Sequence, residues 1–152
     1  MEQPLYRVSG KLPKGFLGHI AYTTVLPKEL TGLRLVTTFD KREPAQDLDA
    51  LRAGCLEAVG ENAPGAQLPD SLLDAVLRMP KAEINMSVFF DGACVGCAHR
   101  DSLKKEVYIS PERASAGFLN CRPRGLARIV LHVYNILNDD TEYTLELLGV
   151  TA

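Results

Sequence analysis

Tryptophan is absent, and phenylalanine and tyrosine occur only five times each in 152 residues. That shortage weakens a carbohydrate-binding platform, because such sites favour large aromatic faces. Long hydrophobic runs are missing too. The longest, such as Ile129 to Val133, fall far short of the ~20 apolar residues of a membrane-spanning helix, so no membrane partner is expected. Charge of one sign is also lacking. Seventeen basic against nineteen acidic groups give a net charge of −2, which argues against a polyanion binder and leaves no nucleic-acid partner to expect. Four cysteines (Cys55, Cys94, Cys97, Cys121) are few for a disulfide framework in a chain that is 46% hydrophobic and able to bury a core unaided. They read as reduced thiols. Met1-Glu2-Gln3-Pro4-Leu5-Tyr6-Arg7 has neither the basic nor the apolar region of a secretory signal, so a cytoplasmic location is the expectation. No nucleophile elbow, Walker loop, Rossmann glycine pattern or His-Glu-x-x-His occurs, and no cofactor is expected.

What is present fits one domain over residues 1–152. Charge is uneven along it: residues 1–42 carry seven basic and three acidic groups, and 43–79 carry two and seven. The acidic segment is the one with helical periodicity. Leu48, Leu51, Cys55 and Val59 recur at spacings of three and four, which puts them on one helix face. Pro44, Asp47 and Asp49 suit its first turn. A second helix starts at Asp70, with Leu72, Leu73, Val76 and Leu77 as its stripe and Pro80 as its stop. Residues 60–65, rich in glycine, asparagine and proline, read as the connection.

Elsewhere the period is two. Strands are expected at 5–9, 19–25, 33–40, 83–90, 93–100, 106–109, 128–136 and 142–150. The fold class is therefore α+β and mainly β: an antiparallel β-sandwich of about eight strands with a two-helix insertion at about 45–79. Phe89-Phe90-Asp91-Gly92-Ala93-Cys94 is a type I′ hairpin, since Asp-Gly supplies both positive-φ positions. Its register sets Val88 against Val95 and Met86 against Cys97, and so places Cys97 in the core and Cys94 outside it.

The closing pattern, Gly125 to Tyr134 followed by Asp140-Thr141-Glu142-Tyr143-Thr144-Leu145-Glu146-Leu147, is read as a last hairpin turning at Asn138-Asp139-Asp140. Its Ile129, Leu131 and Val133 meet Tyr143, Leu145 and Leu147 on the buried side. This pattern resembles the last hairpin of bacterial β-sandwich modules such as pre-peptidase C-terminal domains. The resemblance spans under a fifth of the chain; it implies a sandwich and no activity.

Three groups of residues compete for a site. Cys94, Cys97 and His99 have the local spacing of metal ligands or redox thiols, but residues three apart on an extended strand point to opposite faces, which favours core thiols over zinc. A bulge at Gly96 would turn both sulfurs to one side. Asp40, Asp91, Asp139 and Asp140 fall at turns, where calcium-dependent sandwiches collect carboxylates and where aspartate also simply bonds nearby backbone. Arg113, Arg122 and Arg124 stand in the longest expected loop, 110–125, as candidate ligands for a carboxylate or phosphate. Histidines 19, 99 and 132 read as sheet-face residues. With no catalytic signature, the leading reading is a non-enzymatic binding or assembly module for a protein or small molecule, with a homo-oligomer among its forms. The alternative is a small hydrolase or metal-dependent enzyme whose site assembles only in the fold.

Overall fold

The computed structural model describes residues 1–44, 47–78 and 81–152. In chain order the elements are β1 (Glu2–Leu12), β2 (Gly18–Val25), β3 (Gly32–Phe39), α1 (Leu48–Asn62), α2 (Asp70–Leu77), β4 (Glu83–Phe90), β5 (Ala93–Ala98), β6 (Lys104–Ile109), β7 (Leu126–Tyr134) and β8 (Thr141–Val150). The strands form two antiparallel sheets in the orders β1-β8-β3-β6 and β2-β7-β4-β5. This is the expected mainly β sandwich with a two-helix excursion.

Period-two alternation builds the core. Leu33, Leu35 and Phe39 of β3 and Tyr143, Leu145 and Leu147 of β8 face Ile84, Met86 and Val88 of β4 and Ile129, Leu131 and Val133 of β7, all buried. Tyr22 of β2 and Tyr143 hydrogen-bond each other from opposite sheets, and burial followed by that bond pushes the Tyr22 phenol well up. β7 and β8 face each other across the core. They are not the hairpin their sequence suggests, because they belong to different sheets. The connection 135–140, with positive φ at Asn135 and Asp140 and a buried Ile136, carries the chain across the roughly 10 Å between layers.

The Asp91-Gly92 turn forms as expected, with φ of 48° and 84°, and Phe90 faces Ala93 and Phe89 faces Cys94. Beyond that pair the register shifts: Val88 faces Gly96, Ser87 faces Cys97 and Met86 faces Ala98. Val95 is the extra, bulged residue, so Cys97 is exposed and Ala98 takes the core place expected for it. The cause is distant in sequence. Residues 114–119 form a strap along the β5 and β6 edges, with bridges Gly96↔Phe118 and Ile109↔Ala114 and with Cys97 N–H donating to the Gly117 carbonyl. A Cβ on Gly96 would lie 2.3 Å from the Gly117 oxygen, so only glycine lets the strap approach.

In the helical excursion, Asp47 caps α1 by accepting from Asp49 N–H. Leu51, Cys55 and Val59 are half-buried on one face, as the spacing predicts, while the Leu48 side chain lies outside the described residues. In α2 only Leu73 and Leu77 are buried; Leu72 and Val76, expected in the stripe, are exposed because an eight-residue helix offers a narrow contact. The helix ends at Leu77, and the expected stop at Pro80 lies outside the described residues. Arg52 joins the two helices through Asp70 and Asp74. Among the described residues no helix is long and apolar enough to cross a membrane.

Candidate functional site

The strap and sheet β1-β8-β3-β6 border an open recess of about 420 Å³ lined by Glu2, Arg34, Glu106, Tyr108, Arg113, Ala114 and Ser115. Pairing of β3 with β6 sets Arg34 opposite Tyr108, two positions along the strand from Glu106. Arg34 Nε donates to Glu106 Oε1 at 2.8 Å and Nη1 to Glu2 Oε2 at 3.2 Å, while Lys104 Nζ approaches the other Glu106 oxygen at 3.4 Å. The Arg34 guanidinium holds the Glu106 carboxyl below its ordinary range. Ser115 fixes the floor, since its Oγ accepts from Tyr108 N–H and its own N–H donates to the Tyr108 carbonyl.

Arg113 sits in the tight turn after β6, where Ser110 Oγ accepts its backbone N–H and donates to its carbonyl. Its guanidinium lies over the Tyr108 ring, 4.5 Å from the centroid. Among the described residues it has no carboxylate partner. Arg34 pairs with both carboxylates of the recess, Glu2 and Glu106, and Lys104 with Glu106, whereas Arg113 pairs with neither.

The other two loop arginines go elsewhere. Arg122 donates to the Leu30 and Lys28 carbonyls and so braces the turn before β3. Arg124 is exposed near Cys121, whose thiol burial pushes up. The bulge turns Cys94 and Cys97 to one side, the outer face of sheet β2-β7-β4-β5, opposite Phe89 and Ser87; His99 follows the end of β5. Among the described residues no group of three or more His, Cys, Asp or Glu is arranged to hold a metal ion. The turn aspartates bind backbone instead: Asp40 takes Glu142 N–H, Asp91 takes Leu126 N–H and Asp139 takes Lys14 N–H.

The same outer face holds a cluster that reading the strands singly misses. His19 and His132 are cross-strand partners with rings edge to face at 4.6 Å, and Ser87 Oγ lies 2.7 Å from His132 Nε2. Asn85 is in register with His132, only 7% exposed, and its buried Oδ1 has no hydrogen-bond partner among the described residues. Burial first, then His19 and His99, push the His132 imidazole below its ordinary range. Alternation puts each of these side chains on the outer face, but only the β2-β7 and β4-β7 pairings bring them together.

Fold and site thus define a two-sheet β-sandwich carrying a strap-bounded, arginine-lined recess at one edge. The chain belongs to DUF6669, a family of unknown function, which matches it over residues 1–148. No curated protein matches the chain.

Proposed function

We propose that this chain is a non-enzymatic binding module whose recess takes a small ligand bearing a carboxylate or phosphate, with Arg113 as its anchor. The observation that carries this reading is the Arg113 guanidinium, stacked on Tyr108 and paired with neither carboxylate of an open recess of about 420 Å³. That volume is within the usual range for small-molecule sites. A planar fork held against a ring loses little freedom on meeting an oxyanion. Calorimetric titration with inorganic phosphate and with a small dicarboxylate tests it. Arg113→Ala weakens binding about tenfold or more, as expected for losing a charge-assisted hydrogen bond, and Arg113→Lys retains part of it. Equal affinity in wild type and Arg113→Ala sinks the reading.

One observation favours the hydrolase alternative: Ser87 Oγ and His132 Nε2 have the separation of a nucleophile and its base. Among the described residues no carboxylate bonds that histidine, so binding ranks first. Labelling of Ser87 by a fluorophosphonate, lost in His132→Gln, would reverse the order.

A further inference from the structure

A sandwich of two open sheets has four edge strands, and each unprotected edge is a row of free backbone donors and acceptors. Three of the four edges here are defended. β1 carries Glu2, Arg7, Lys11 and Pro4, with a register break between Pro4 and Tyr6. β5 is bulged and takes hydrogen bonds from the strap, with Cys97 N–H donating to Gly117 and Leu119 N–H to the Val95 carbonyl. β6 is covered by the same strap through Ala114 and Ser115.

β2 has none of these devices. Gly18-His19-Ile20-Ala21-Tyr22-Thr23-Thr24-Val25 contains no acidic residue, lysine, arginine or proline, and pairs with β7 in unbroken register over all eight residues. Among the described residues no backbone group bonds its free side. Threonine, tyrosine, isoleucine and valine also give it strong β-propensity.

Its flanks say which partner fits. Leu17 is 70% exposed and Val25 74% exposed, and the two stand four residues before and four after Ala21. Two copies of β2 running antiparallel about a two-fold axis at Ala21 set Leu17 opposite Val25 of the second copy, twice. His19 then faces Thr23, and Ala21 faces itself. Leu126, the cross-strand neighbour of Val25 and 46% exposed, widens each apolar contact. The register opposes residues of equal parity, so it keeps side chains on their own faces. We infer that β2 is the edge across which a second copy of this chain pairs, joining the two four-stranded sheets into one of eight strands. Such an interface is isologous and closes as a dimer, leaving no edge of this kind free.

Sedimentation of the whole chain tests this through a charge swap. Ala21 is exposed, so Ala21→Lys and Ala21→Glu leave the core intact, which thermal unfolding checks. Wild type sediments as two chains. Each variant alone brings like charges face to face and falls to the single-chain mass of 16.6 kDa. An equimolar mixture of the two regains the dimer. Wild type that stays a single chain at high concentration, or variants that stay dimeric, overturns the inference. Dissociated variants that do not recombine on mixing overturn the two-fold register. Phosphate titration of Ala21→Lys keeps the outcome separate from that of the Arg113 recess.

Discussion

Gly96 decides where two thiols point. Its contact with Gly117 bulges β5 and delivers Cys97 to solvent beside Cys94, whereas an unbroken hairpin buries it. Native protein therefore shows two fast-reacting thiols, Cys94 and Cys97, ahead of half-buried Cys55 and of Cys121, whose burial disfavours the thiolate. Mass spectrometry after brief alkylation checks this; slow labelling of Cys97 would restore the simple hairpin register. His132 governs a pH response. Its folded-state affinity for a proton is lowered by burial, His19 and His99, while the unfolded chain protonates near an ordinary histidine pKa of ~6.5. The unfolded state thus binds more protons as pH falls through that value, and stability drops between pH 7 and 5. His132→Gln starts less stable at pH 7.5, having lost the Ser87 bond, but falls less on acidification in urea melts at each pH. A parallel decline in both proteins contradicts the assignment.

The helical excursion is fastened at its roots by charge. Ala82 N–H donates to the Arg42 carbonyl, Lys105 Nζ reaches Glu83 Oε1 at 2.5 Å, and Arg42 shares Glu83 and pairs with Asp101. The Lys105 side chain is 1% exposed, faces the Phe39 ring and has its ammonium disfavoured chiefly by burial. Stripping its carboxylate leaves a buried charge with little compensation, so Glu83→Gln costs about 3–5 kcal/mol in urea unfolding. A loss below ~1 kcal/mol would mean that the Ser102 carbonyl alone satisfies Lys105. Most elements were legible in the sequence because period two and period 3.6 are local properties. Which sheet a strand joins is not. Alternation in 126–134 and 141–150 reads the same whether the two pair or face each other across the core, and only the six-residue crossing decides it. Leu72 and Val76 fit a helical stripe equally well, but the short α2 buries only Leu73 and Leu77.

At the scale of the whole molecule, the sandwich puts each of its polar clusters on strands distant in sequence. Arg113 was legible as an arginine in a long loop. Arg34, Glu106 and Tyr108, which make its recess, were not, because the β3-β6 pairing joins residues some seventy positions apart. The His19-His132-Ser87 cluster was hidden for the same reason, being drawn from three strands. Arg122 illustrates the converse: it looked like an anion ligand, yet backbone carbonyls of the neighbouring turn occupy it. The strap that follows Arg113 also seals two edges, so the recess sits on backbone fixed by hydrogen bonds on both sides. The most direct test of the binding reading is an amide chemical-shift titration of the native protein with inorganic phosphate. The account predicts saturable shifts confined to Tyr108, Arg113, Ser115 and the adjoining Arg34, absent in Arg113→Ala. Saturable shifts centred on Ser87 and His132 instead, or none anywhere, would contradict it.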